Sequence, residues 1–452
     1  MTRVLIPAGA LGLGYDRNAL ERGLANRPDI IAIDGGSTDS GPSYLGRGVS
    51  KYSRASTKVE WRELMQARAK AGVPLVIGTA GTCGADQTVD WLLQITREIA
   101  AEEGMKVRVA TIRSGQPKER VKAALADGRL RALPAAPEIS ETVIEDCSNI
   151  VALAGVEQVA AALATGADIV IAGRTTDTAI IAALPIARGD HAGAAWHGAK
   201  IGECGALATT NPNSGVIQID FDDAGFTVEP MAPNAAATPY TVSAHMLYEN
   251  SDPFILHEPG GHLDVTGSEY EALDKRRVRV EGSKWVKGRY TVKLEGARVV
   301  GHQSVGLAVM RDRRYVQNAR EWAADVVAKV RAKIEARMGL SPDDFDVEIR
   351  LIGMDATLGT LENRRDVPVE VGVLGILTCP TQEQAAEAAK IMNPYLLHHP
   401  LTEDEPMPTF AFPFSPAEMQ RGALYEFCLN HVMELDDPMA AFTLEVHEVG
   451  HA

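Results

Sequence analysis

From the N-terminus to about residue 215, short runs rich in Val and Ile alternate with longer stretches whose apolar residues recur every three or four positions. This pattern predicts strands at Arg3–Ile6, Ile30–Ile33, Leu75–Ile77, Val107–Thr111, Ile150–Leu153 and Ile169–Ala172, in a mainly parallel sheet covered by helices. Helix ends are legible as well. The helix over about Val59–Ala71 should stop at Gly72 with Pro74 beyond. Asp86 is placed to cap a helix with apolar stripe Val89, Leu92, Leu93 and Ile99 that ends at Gly104. At Thr209–Gly215 the chain turns to TTNPNSG, and a boundary is expected there between an α/β domain (1–215) and an α+β domain (216–452). In that second half Val216–Asp220, Arg289–Leu294, Ala297–Val300 and Gln303–Val309 alternate like half-buried strands. A long helix (about Ala319–Met338) follows, then strands Asp346–Ile352 and Val369–Leu377 and a helix at about Gln382–Met392.

Composition narrows the class. A chain of 452 residues has room for more than one core, and 45% hydrophobic with 23% charged residues is ordinary for a folded soluble protein. With 45 Lys+Arg against 60 Asp+Glu the net charge is -15, which opposes nucleic acid and anionic membranes as partners and favours a small molecule. The five cysteines (Cys83, Cys147, Cys204, Cys379, Cys428) are far apart and suggest neither a disulfide framework nor a zinc ribbon. The first residues, MTRVLIPAGALGLGYD, read as a strand rather than a signal peptide, and no apolar run reaches the ~20 residues of a membrane span. A cytoplasmic location is expected.

In open parallel sheets ligands bind beyond the carboxyl ends of the strands. Three of those ends carry glycines, hydroxyls and a carboxylate together: Asp34-Gly35-Gly36-Ser37-Thr38-Asp39, Gly78-Thr79-Ala80-Gly81-Thr82-Cys83-Gly84, and Gly173-Arg174-Thr175-Thr176-Asp177-Thr178. Such loops suit an anion, and Arg174 can grip a carboxylate with two parallel hydrogen bonds. The plainer reading of each is a strand-to-helix turn with Ser, Thr and Asp as caps. Gly9, Gly12 and Gly14 do not have the dinucleotide spacing, although Asp34 lies about where a ribose-binding carboxylate would; the Gly-Lys-Ser/Thr phosphate loop is absent.

Two further clusters follow. Trp196–Gly205, WHGAKIGECG, brings Lys200, Glu203 and Cys204 close together, with Cys204 more at home as a buried residue than as a nucleophile. His245, His257, Glu258 and His262 could supply an acid and a base or hold a divalent ion, though Pro259-Gly260-Gly261 rules out the helical H-E-x-x-H zinc motif. The basic run Lys275–Arg279 suits phosphates or a solvated hairpin.

The motifs AIDGGSTDSGPSYLG, GTAGTCGAD, ADIVIAGRTTDTA, WHGAKIGECGA, SAHMLYEN, EPGGHLD and the late RGALYEF and LNHV, in this order, resemble the acyclic terpene utilisation (AtuA) family. The resemblance implies bacterial catabolism of branched carboxylic acids and their coenzyme A thioesters, and a small companion subunit; a homo-oligomer is also expected. The leading expectation is a lyase of the hydratase/dehydratase kind acting on a small branched or polycarboxylic acid or its acyl-CoA. In it Gly36, Ser37, Thr38, Gly81, Thr82, Cys83, Arg174 and Thr175 hold the substrate carboxylate. Asp39, Asp177 or Glu203 moves the α-proton, and His245 or Glu258 assists the leaving hydroxyl directly or through Mg²⁺ or Mn²⁺. The alternatives are a non-catalytic acyl-ligand-binding or regulatory subunit, and a hydrolase or transferase using Cys204 or Cys83.

Overall fold

The computed structural model describes residues 1–450. It divides into two compact units, Met1–Arg298 with the chain from Phe427 onward, and Val299–Glu426. In chain order the strands are β1 (Thr2–Ile6), β2 (Ile30–Asp34), β3 (Leu75–Gly78), β4 (Val107–Arg113), β5 (Leu130–Ala132), β6 (Cys147–Ala152), β7 (Ile169–Ala172), β8 (Ile217–Phe221) and β9 (Gly225–Pro230). They continue with β10 (Ile255–Glu258), β11 (Gly261–Asp264), β12 (Glu269–Ala272), β13 (Val278–Glu281), β14 (Lys284–Lys287), β15 (Thr291–Met310), β16 (Asp346–Ile352), β17 (Val371–Cys379), β18 (Glu418–Glu434) and β19 (Thr443–Val449).

The first unit is built on a ten-stranded mixed sheet whose centre, β1-β2-β3-β7-β4, is parallel. Every residue of β2, β3 and β7 is buried, as expected of strands covered on both faces. Alternate side chains feed two cores. Ile31, Ile33, Leu75, Ile77 and Ile171 meet Trp61, Leu64, Val89 and Leu92 from the helices Arg54–Ala71 and Asp86–Glu103. On the other face Ile30, Ala32, Val76 and Val170 join the cluster that takes in Val159, Ala162, Ile180 and Ala183 from Val156–Ala164 and Ala179–Ala187. Gly72 and Gly104 end their helices in the left-handed conformation, as predicted. Asp86 does not cap: Ala85 is the cap residue, and the Asp86 carboxylate instead accepts from Gly115 N at 3.0 Å.

Antiparallel strands extend both sides of the parallel centre. β8 pairs with β1 from Thr2↔Phe221 to Ile6↔Ile217, and β9, β13 and β12 follow, while β19 pairs with β4. The turn-rich stretch at Thr209–Gly215 therefore lies inside the first unit, and the chain divides after Arg298 and again after Glu426. The exposed backbone edge of β1 supplies the reason, since the strand that leaves the turn satisfies it. The strand expected at Ile150–Leu153 is β6, and it leaves the parallel sheet to pair antiparallel with Leu294–Arg298 of β15. The three strands expected between Arg289 and Val309 are one strand, with a register shift at Ala297/Arg298. The basic run Lys275–Arg279 is a hairpin segment whose charges are used internally. Arg276 donates to the carbonyls of Pro230, Ala232 and Ala235, Arg277 pairs with Asp274, and Arg279 pairs with Asp222.

The second unit is an antiparallel sheet of His302–Met310, β17 and β16. β17 alternates buried and half-buried over all nine residues, and the helices Ala319–Met338 and Gln382–His398 close its apolar face through Trp322, Val326, Val330, Ala385, Ala389 and Met392. The latter helix runs past the expected end at Met392 to His398. Among the described residues no helix is long and apolar enough to cross a membrane.

Candidate active site

The carboxyl ends of β2, β3 and β7 lie side by side, with Asp34 in register with Gly78. The three loops that leave them are locked to one another. Gly35 N donates to Gly78 O at 2.6 Å, Thr79 N to Gly173 O at 2.8 Å, and Arg174 N to Gly84 O at 3.0 Å. Two glycines permit this approach: a Cβ on Gly35 would lie 2.4 Å from Thr79 O, and one on Gly84 would lie 2.2 Å from Arg174 N. Thr79 and Thr82 are held at φ 54° and 71°, an uncommon conformation for residues with side chains. Gly35 and Gly84 therefore serve loop-to-loop packing, and many of the backbone N–H groups are already used.

Arg174 is committed internally in the same way. Its guanidinium is buried and engages both oxygens of Glu295, through Nε at 3.0 Å and Nη2 at 3.3 Å. Nη1 donates to Thr79 Oγ1 at 3.1 Å and to the Thr175 carbonyl at 3.2 Å. Glu295 also accepts from Lys293 Nζ at 3.0 Å and from Thr38 Oγ1 at 3.1 Å. Burial alone would raise the Glu295 pKa, but Arg174 and Lys293 reverse that and hold it at about 2. The fork expected to grip a substrate is thus closed on an internal carboxylate 121 residues away. Thr38 and Thr175 belong to this structural network. Cys83 is fully buried, and Thr82 Oγ1 donates to the Gly81 carbonyl; these three line no part of the cleft described next.

That cleft, of 560 Å³, opens at the strand ends and is lined by Asp34, Gly36, Ser37, Asp39, Tyr52 and Asp177, with Cys204 and Tyr248 opposite. Its volume falls in the range of small-ligand sites, ~300–1,000 Å³. Asp39 is on the exposed rim, where Ser37 Oγ donates to it at 2.6 Å. Asp34 is buried, with Oδ1 lacking a hydrogen-bond partner; burial, then the charge of Asp177, pushes its pKa well above the usual carboxylate range. Asp177 is also raised, chiefly by burial, with Arg174 (Nη1 at 3.8 Å) and Lys200 opposing the shift and Asp39 and Glu249 adding to it.

Within electrostatic reach of Asp177 stands a buried cluster from the helix Ala192–Gly202, the segment after it, and β10. Lys200 Nζ donates to Glu203 Oε1, and burial lifts Glu203 to about 8 against the pull of Lys200. Glu258 accepts from Thr178 Oγ1 at 2.5 Å, and burial lifts it to about 7 against the hydrogen bonds of Thr178 and Thr176. The Tyr248 ring covers Lys200 Nζ at 5.6 Å and stacks on His245 at 5.2 Å. Burial lowers His245 to about 4, so its imidazole is neutral at physiological pH. Of the expected catalytic residues, Asp177, Glu203, His245 and Glu258 come together and Asp39 stays at the rim. Asp34, Lys200 and Tyr248 are additions. Asp34 was detectable as the last residue of a strand running into two glycines; Lys200 and Tyr248 carried no signal beyond their motifs.

Burial pushes Cys204 up to about 12 and raises Cys83 as well, so neither holds a thiolate suited to nucleophilic attack near neutral pH. Among the described residues no three His, Cys, Asp or Glu side chains converge to hold a metal ion.

The raised carboxyls have a measurable consequence. In the unfolded chain Glu203 and Glu258 lose their protons near the ordinary 4.5, whereas in the fold they hold them to about 8 and 7. Stability from these groups is full below about 4.5 and declines as pH rises through the folded values. Urea midpoints at acid, neutral and alkaline pH should show this decline in the wild type and a flatter profile in Glu203→Gln. Equal slopes would place Glu203 outside the account.

No curated protein and no solved structure matches the chain. The sequence model of the acyclic terpene utilisation family protein AtuA matches residues 50–404, a span that holds Arg174, Asp177, Lys200, Glu203, His245, Glu258 and Glu295. The chain belongs to the acyclic terpene utilisation AtuA family.

Proposed function

We infer that this chain is an enzyme of carboxylic-acid catabolism, a lyase of the hydratase/dehydratase kind acting on a small branched or polycarboxylic acid or its coenzyme A thioester. The observation that carries the reading is the pair Asp34 and Asp177 on one cleft, both raised by burial, with the charge of Asp177 raising Asp34 further and with Lys200 beside Arg174 favouring charge on Asp177. Two carboxyls so placed separate into an acid and a base. In this reading ionised Asp177 takes the proton from the carbon next to the substrate carbonyl, and protonated Asp34 donates to the departing hydroxyl. The C–H and C–O bonds break, the C=C bond forms, and water leaves. The proton gained by Asp177 returns to Asp34 through solvent in the cleft. Lys200, Glu203 and Glu258 are positioning residues that set the charge on Asp177, and His245 supports Tyr248. The catabolic setting rests on the family.

The test is turnover. The full chain, with and without a companion subunit, is incubated with hydroxy acids, unsaturated acids and their thioesters while double-bond absorbance is followed. At least one member should turn over, and Asp177→Asn should lower kcat about 100-fold or more, the scale of general acid–base catalysis. No turnover in any condition contradicts the reading.

A further inference from the structure

A second cleft, of 820 Å³, carries basic groups that the proton-transfer reading does not use. One wall is the ribbon of β5 and the end of β18; the other is the hairpin β10–β11. Arg129 and Arg131 lie two residues apart on extended chain, so they share a face, while Leu130 between them pairs with buried Met433. Val432 is opposite Arg131, and Glu434 N donates to Arg129 O at 3.0 Å, which sets Val432 and Glu434 in the same wall.

Arg289 brings a third guanidinium, and His257 and His262, paired across the hairpin with ring centroids 5.6 Å apart, face the cleft from the other side. The acidic side chains of the lining are Glu434 and Glu258. Glu434 is occupied by Arg289 at 2.9 and 3.2 Å, and Arg129 reaches Asp127 at 2.9 Å. Arg131 has no acidic partner among the described residues. Glu258 is 8% exposed and is engaged from the protein side by Thr178. In a chain of net charge -15 this is a local surplus of positive charge. Guanidinium forks match the planar, multi-oxygen faces of phosphate and carboxylate groups.

We propose that this cleft binds a small polyanion, phosphate- or carboxylate-bearing, gripped by Arg129 and Arg131. Calorimetric titration of the full chain in low-salt buffer with pyrophosphate and, separately, with citrate distinguishes the two sources. Saturable one-site binding is expected for at least one of them, and the anion that binds identifies the group. Arg131→Ala should weaken it at least tenfold, Arg131→Lys less, and the double variant Arg129→Ala/Arg131→Ala should abolish it. Glu434→Ala, which releases Arg289, should tighten it. Arg313→Ala, an exposed cation of the second unit, should leave it unchanged; circular dichroism verifies that each variant is folded. Absence of saturable binding for both anions, survival of binding in the double variant, or equal weakening by Arg313→Ala overturns the proposal. Because the readout is binding and not turnover, either result leaves the lyase reading to its own test.

Discussion

Glu295→Ala should cost about 3–5 kcal/mol of unfolding free energy, the range seen when one partner of a buried ion pair is removed. Arg174 is 6% exposed, and its Nε and Nη2 end on Glu295, so the variant leaves the interior guanidinium with Asp177, 3.8 Å from Nη1, as its nearest carboxylate. Thr38 and Lys293 lose their acceptor in the same step. Glu295→Gln keeps an acceptor oxygen and should cost less than Ala. The acid limb gives a second check. The folded pKa of Glu295 is about 2 against an ordinary 4.5, so its contribution is complete above about 4.5 and is lost as pH falls through about 2. Urea unfolding of wild type and variant should therefore diverge at neutral pH and converge in acid. A loss under about 1 kcal/mol for Glu295→Ala would mean that the network is solvated and has been misjudged as a structural clamp.

Gly84→Ala is the second large effect. The added Cβ would meet Arg174 N at 2.2 Å and Arg174 Cα at 2.4 Å, both backbone, in a residue already at φ +64°. The left-handed conformation costs about 1 kcal/mol and a forced backbone shift about 1–3 kcal/mol more, so about 2–4 kcal/mol in total is expected. Gly104→Ala separates the terms. It has a similar φ, +65°, with nothing within 4 Å of its Cβ, so it should lose only the conformational part, about 1 kcal/mol. Thermal unfolding of the two variants side by side measures the difference. Equal losses would show that the strand-end loops are not in contact as described.

What could be read from the chain divides by sequence range. The helix Ala319–Met338, the strand Ile169–Ala172 and the glycines that stop helices at 72 and 104 depend on neighbouring residues, and the local pattern located them. Strand partners do not. Nothing near Ile217–Phe221 announces that it completes the edge of β1, so a turn-rich stretch reads locally as a domain boundary. The site divides the same way. The rule that ligands gather at the carboxyl ends of parallel strands points to an edge that carries a cleft, and Asp177 lines it. Arg174 looked like a substrate grip because its partner is 121 residues distant. Cys147 and Cys428, 281 residues apart, lie with sulfurs 3.2 Å from each other in the core, a contact that cysteine spacing could not disclose.

The account rests on carboxyl groups kept protonated near neutral pH by burial around Asp177. Infrared difference titration of the full chain, reading the C=O stretch of protonated carboxyls, tests this directly. Two such groups should lose their protons near pH 7 and pH 8, one signal vanishing in Glu258→Gln and the other in Glu203→Gln. A spectrum in which every carboxyl is already ionised by pH 6 would contradict it.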